Sequence, residues 1–326
     1  MQKVRLKGGS LSGTYLMTPD SGHQFVRKEC SVVVNREYGF QRWYSQLKRM
    51  QRYSVMFPGL FPALLNFGLE GDLAYFDMPF IEGAITAHEY LVGCESKAQV
   101  DAFFSTLTVA MDRMHATKIP SARTSLQLYI REEVEQKLAD ALKNPRMQQF
   151  ANFEHVVFNG EKSPGFFRQL DNYKVLFRDS FVFSEETFTH GNITLENMLY
   201  QPHLKRVVFI DPYEENIIDS VLAEYSQLYQ SCHSYYELFN ERTPTIEGNS
   251  VTIEMPRSAG LDWFDQRLDD LILDRFSPKE MMAVRLLEVS QFIRMLPFKA
   301  VLDEDKMLFF YALASNLFHR ICEGKV

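Results

Sequence analysis

The 326-residue chain has little cysteine, no excess of positive charge and no long apolar run. Its four cysteines, Cys30, Cys94, Cys232 and Cys322, are scattered, with no CxxC pair and no histidines at metal-ligand spacing. That argues against a disulfide framework and against a zinc module, and leads us to expect reduced thiols in a cytoplasmic protein. No stretch of about 20 apolar residues occurs, and the opening MQKVRLKGGS has no apolar signal core. Neither secretion nor a membrane span is expected. Lys and Arg number 35 against 42 Asp and Glu, a net charge of −7, so the basic face that a nucleic acid requires is not expected. One basic cluster, Arg42, Lys48, Arg49 and Arg52, lies on a single expected helix and reads as a solvated face. Internal repeats and low-complexity tracts are missing too, which sets aside solenoids and linkers.

What is present is enough apolar residue, 46% of the chain, for a large core in one big domain or two of ordinary size. The first thirty residues read as three short strands, KVRLKGG, GTYLMT and HQFVRKEC, separated by SLSG and TPDSG. From Asn35 the apolar period becomes helical, with Phe40, Trp43, Tyr44, Leu47 and Met50 on one side, Asn35 as N-cap and Glu37 in the first turn. Residues 73–82, LAYFDMPFIE, return to a strand closed by Gly83. Helices are expected over 98–116 and 125–143, the latter with a Glu133–Lys137 pair at i,i+4 spacing. Residues 157–166 read as a loop, MLY and VVFID as a strand pair, and helices fill 219–240 and most of 262–322.

The chemistry-bearing stretch is TFTHGNITLENMLYQPHLKRVVFIDPY, residues 187–213. Within it stand His190-Gly-Asn-Ile-Thr-Leu-Glu-Asn197, with Asp211 fourteen residues after Asn197. Asn197 and Asp211 offer hard oxygen ligands of the kind that Mg²⁺ takes while it bridges nucleotide phosphates. His190 has no metal partner in spacing and reads as a brace for the loop. This stretch resembles the HGD-type catalytic loop and following metal-binding aspartate of the aminoglycoside phosphotransferase and choline kinase family. The run IDPYEENIIDSVLAEYSQLYQS resembles, further, bacterial small-molecule phosphotransferases associated with surface-polysaccharide genes.

The resemblance implies an α+β, two-lobed protein kinase-like fold, with a strand-rich nucleotide lobe over 1–83 and a helical lobe over 84–326 that holds the catalytic loop and acceptor site. It implies ATP and Mg²⁺ as cofactors and transfer of a phosphoryl group to a hydroxyl of a small molecule, such as a sugar, an amino alcohol or a polysaccharide precursor. Residue by residue, Asn197 and Asp211 become the metal ligands and Lys28, in FVRK, the cation on the phosphates. Glu37 becomes the partner that positions Lys28, although a first-turn glutamate is also favoured by the helix dipole. Gly8, Gly9 and Gly13 in GGSLSG become the cover over the phosphates, where a plain hairpin turn fits equally well. Met78 and Phe80 in MPFIEG fall on the linker that meets adenine. Glu132, Glu133, Glu214 and Glu215 are acidic groups able to attract a cationic acceptor or simply to face solvent.

One position departs from the family. Asn192 stands where an aspartate orients the acceptor hydroxyl and takes its proton. Asparagine accepts a hydrogen bond but no proton, and losing a positioned base costs about 10²–10⁴ in rate. Three readings stay open: a kinase whose base has been replaced, a natural variant in which Glu185 or Glu186 supplies the base, and a nucleotide-binding protein that acts as a regulator or scaffold.

Overall fold

The computed structural model describes residues 1–6, 12–34, 39–121, 125–181, 185–213 and 216–325. Two compact units emerge, one from Met1–Tyr90, Ala102–Met114 and His190–Asn216, the other from Leu91–Asp101, His115–Thr189 and Ile217–Val326.

In the first unit, alternating residues form five antiparallel strands, β1 (Gln2–Arg5), β2 (Gly13–Thr18), β3 (Phe25–Ser31), β4 (Asn66–Glu70) and β5 (Leu73–Pro79). Their order is β1-β2-β3-β5-β4. Helix α1 (Gln41–Met56) buries Trp43 and Leu47 against Cys30, Ala74, Phe76 and Met78 on one sheet face. On the other face Arg27 donates to both oxygens of Asp77, at 2.8 and 2.9 Å, with its guanidinium 3.9 Å from the Tyr75 ring centre. A sheet with a single helical cover thus closes its open side with a bidentate ion pair and a cation–π contact. The edge strand β4 is absent from the sequence reading, because Phe67 and Leu69 are exposed and Gly68 between them interrupts any apolar alternation. The same unit holds a second sheet, Ile85–Thr86, Met198–Gln201 and Arg206–Phe209, which is the expected MLY and VVFID pair with one further strand.

The second unit is helical around Pro278–Leu302, which is mostly buried from Ala283 to Leu296 and packs against Glu304–Cys322, Val221–Cys232, Phe166–Ser180 and Gln136–Ala141. A helix apolar on all sides belongs in the middle of a bundle. Two expectations are corrected here, the loop over 157–166 and the Glu133–Lys137 pair. Residues 157–166 are not a loop but most of a hairpin, His155–Phe158 and Glu161–Pro164, turning at Asn159 (φ 47°) and Gly160 (φ 87°). Asn-Gly is the turn pair that accepts two positive φ values, and Ser250–Thr252 joins this hairpin in parallel, a pairing that local sequence does not announce. The helices expected over 219–240 are Val221–Cys232 and Tyr236–Glu241, separated at Tyr235 with φ 50°. The Glu133–Lys137 pair does not form, because Ile130–Glu135 is a π-helical stretch that shifts the i,i+4 register, and Glu133 instead accepts from Arg294 Nε at 2.7 Å.

A charged network stands in this helical unit. His233 Nδ1 lies 2.8 Å from Glu288 Oε1, Ser234 donates to the same oxygen at 2.6 Å, and Arg285 reaches Glu288 and Asp269. Burial opposes ionisation of Glu288, yet His233 and Arg285 overcome it and hold the carboxyl down at about 2. Burial also opposes a charge on His233, and the facing Glu288 prevails and raises it above its ordinary 6.5. Asp265, pushed up to about 6 by burial, is already ionised above that pH. A raised histidine contributes stability that is present below its unfolded value and lost as pH climbs through the folded one. The denaturant midpoint should therefore fall as pH rises above about 6.5, and His233→Asn should flatten that limb. An identical slope in the variant would remove His233 from the account.

Candidate active site

The expected catalytic loop lies in the first unit as a turn, His190–Thr194, leading into a 3₁₀ turn, Leu195–Asn197, and then a strand. Its histidine is fully enclosed. His190 packs on Phe61 with ring centres 6.0 Å apart and meets Phe209 edge-on. The amide N–H of Asn192 donates to His190 Nδ1 at 3.2 Å, so the other ring nitrogen carries the proton and donates to the Ile210 carbonyl at 2.8 Å. The carbonyl of His190 accepts from Tyr213 N at 2.9 Å. One residue therefore fixes the loop at 192 and the chain on both sides of Asp211.

Asp211 has φ 58°, the left-handed region that aspartate tolerates better than most side chains. The turn brings its carboxylate to Lys28, whose Nζ stands 2.7 Å from Asp211 Oδ1. Lys28 is 4% exposed on β3, and the indole of Trp43 donates to its carbonyl at 3.4 Å. The two residues that the sequence set 183 positions apart are thus partners. Asn197 Nδ2 donates to the Asn192 carbonyl at 2.8 Å and lies 3.2 Å from Thr194 Oγ1. With the amide nitrogen committed there, Oδ1 is the atom that Asn197 has left to offer a cation.

The remaining expected residues divide. Met78 points into the core with Trp43 and Phe76, while Phe80, just past β5, is 38% exposed. Gly13 opens β2 opposite Glu29, and an added Cβ would fall 2.4 Å from the Tyr15 ring. Gly8, Gly9, Asn35, Glu37, Glu214 and Glu215 lie outside the described residues. Glu185 and Glu186 belong to the second unit, on a strand paired with Lys118–Pro120, and burial followed by the nearby Asp219 raises the Glu186 carboxyl. Glu132 pairs with its neighbour Arg131.

One residue was misjudged. Arg49, read as part of a solvated face, is 2% exposed and donates through Nη1 to the carbonyls of His190, at 3.4 Å, and Tyr213. Arg42 lies over the Tyr213 ring at 5.2 Å. The available signal was position: Arg49 lies four residues from buried Tyr53 on one side of α1, whereas Arg42, Lys48 and Arg52 are exposed.

No family model matches the chain, and no curated protein matches it in sequence. Among solved structures it is similar to a candidate fructosamine-3-kinase from Haemophilus somnus 129PT, with a TM-score of 0.59 and 8% identity over 98% of this chain and 92% of that one. An aminoglycoside-3'-phosphotransferase of type VIII aligns at a TM-score of 0.47 and 13% identity, over 88% and 92% of the two chains. The mixed α+β architecture with its antiparallel sheet, together with the first of these likenesses, shows a protein kinase-like fold, as expected from the sequence.

Gly191 explains why the loop carries glycine beside its histidine. Its φ is 78°, and an added Cβ would lie 2.0 Å from Asn216 Nδ2, 2.5 Å from the Tyr213 carbonyl and 3.0 Å from Arg49 Nη1. Gly191→Ala should cost about 3 kcal/mol from backbone strain and overpacking together. Urea unfolding measures it, and a loss below about 0.5 kcal/mol would show that the loop relaxes freely.

Proposed function

We propose that this chain is a nucleotide-dependent phosphotransferase that acts on a hydroxyl group of a small molecule, with ATP as donor and Mg²⁺ as cofactor. The observation that carries the reading is the Lys28–Asp211 pair at 2.7 Å, beside a loop in which Asn197 holds the backbone of Asn192. The fold supports it, as does the resemblance of residues 187–213 to the HGD-type loop.

The donor set fits the cofactor. Among the described residues no three His, Cys, Asp or Glu side chains gather to cage a metal. Asn197 Oδ1 and the Asp211 carboxylate are a two-oxygen set of the kind that Mg²⁺ uses when phosphates and water complete its shell. When bound, the ion would neutralise phosphate charge. Lys28 would hold the phosphates, with Gly8, Gly9 and Gly13 as their cover, Glu37 as its positioning partner, and Met78 and Phe80 at the adenine edge. The nucleotide lobe would comprise 1–83 and the acceptor lobe 84–326.

In the transfer, the acceptor oxygen would form a bond to the γ-phosphorus as the bond to the β,γ-bridging oxygen breaks and ADP leaves, and with no carboxylate at position 192 the hydroxyl proton would pass to water. Asn192 can accept a hydrogen bond from that hydroxyl but cannot keep the proton. The loose transition state of phosphoryl transfer makes a weaker demand on a base than most reactions do, so slow turnover with intact binding follows. The acceptor is a sugar, an amino alcohol or a polysaccharide precursor, a range set by the resemblance. The second reading, a nucleotide-binding regulator or scaffold, is favoured by Asn192 itself.

Asn192→Asp discriminates between them. Turnover of ATP should rise by about 10²–10⁴ with nucleotide affinity little changed. Nucleotide binding in both forms, with no gain in turnover on any sugar or amino-alcohol acceptor, would favour the scaffold.

A further inference from the structure

Helix α1 touches both ends of the Lys28–Asp211 pair, through two side chains six residues apart. Trp43 donates to the Lys28 carbonyl and so holds the strand that carries the ammonium. Arg49 donates to the carbonyls of His190 and Tyr213 and so holds the chain that carries the carboxylate. Arg49 is 2% exposed, and one of its nitrogens serves two main-chain oxygens of this single stretch.

The two carbonyls are not arbitrary. Ile210 is fixed by the His190 ring and Tyr213 by the His190 carbonyl, and Asp211 lies between them in the left-handed region. A strained backbone conformation persists only where its surroundings over-determine it. The bonds within 190–216 come from the loop itself, whereas Arg49 enters from another element and meets the loop at Gly191, where no Cβ fits beside its Nη1.

We infer that Arg49 is a positioning residue for the metal end of the site, setting the Asp211 carboxylate against Lys28 and, with it, the dependence of nucleotide binding on Mg²⁺. The inference rests on the reading of Lys28 and Asp211 as phosphate and metal groups. It makes α1 a strut: its Trp43 end serves the phosphates and its Arg49 end serves the metal. Lysine at position 49 would keep the charge but fall one bond short of the carbonyls, and methionine would keep the bulk and lose both donors.

The test is the affinity for ATP with and without MgCl₂, measured by calorimetry on the full chain and on Arg49→Met and Arg49→Lys, with melting temperatures alongside. The native chain should bind ATP more tightly with Mg²⁺. Arg49→Met should lose about tenfold of that ratio while metal-free affinity holds, and Arg49→Lys should fall between. A structural role alone would lower the melting temperature and weaken both affinities in equal proportion, and that result overturns the proposal. So does a native ratio in both variants. If Arg49→Met does not fold, Arg49→Lys decides by the same criterion. Absence of any ATP binding by the native chain would sink the nucleotide reading itself and the role of Arg49 with it, an outcome distinct from binding with an unchanged ratio.

Discussion

A lysine side chain almost wholly removed from water needs a counter-charge, and in this protein that charge comes from a carboxylate at the end of a distant strand. Lys28 and Asp211, 2.7 Å apart, hold the first unit to one arrangement: the sheet through β3, the loop at 190–197 through the turn at 210–213. Leaving either charge alone in that setting would be strongly unfavourable. The pair is also suited to exchange, because a nucleotide's phosphates and a cation bring the opposite charges to the same two groups. On the proposed reading, ammonium to phosphate and carboxylate to cation would conserve the charge balance when the site fills.

His190 makes the carboxylate half of this possible. Its ring and its carbonyl hold the residues on either side of Asp211, and its aromatic neighbours Phe61 and Phe209 keep water from competing. Arg49 supplies the hold from outside the loop. The charged network of His233, Arg285, Glu288 and Asp269 follows the same physics in the helical unit, where each buried charge is matched by another.

The loop was legible because its parts are local: His190, Asn192 and Asn197 lie within eight residues and bond to one another. Asp211 was legible by spacing along a short strand pair. Arg49 was not, because a charged residue on an amphipathic helix reads as exposed unless its partners are known, and both of its partners are carbonyls more than 140 residues away. The hairpin at 155–164 carried an Asn-Gly signal that was overlooked, while its parallel partner Ser250–Thr252 carried none. The π-helical stretch at 130–135 escaped for a related reason, since a shifted hydrogen-bond register leaves the apolar pattern almost unchanged.

Asn192 separates two properties that usually travel together. On the proposed reading, binding depends on Lys28, Asp211 and Asn197, and proton removal depends on a carboxylate where Asn192 stands. The central claim is that the Lys28–Asp211 pair is the place where nucleotide binds, and the most direct measurement is modification of Lys28 by an acyl-phosphate derivative of ATP, mapped by mass spectrometry. Labelling at Lys28 that excess Mg²⁺–ATP suppresses is the result the account predicts. Labelling spread over surface lysines, with Lys28 untouched and no protection by ATP, would contradict it.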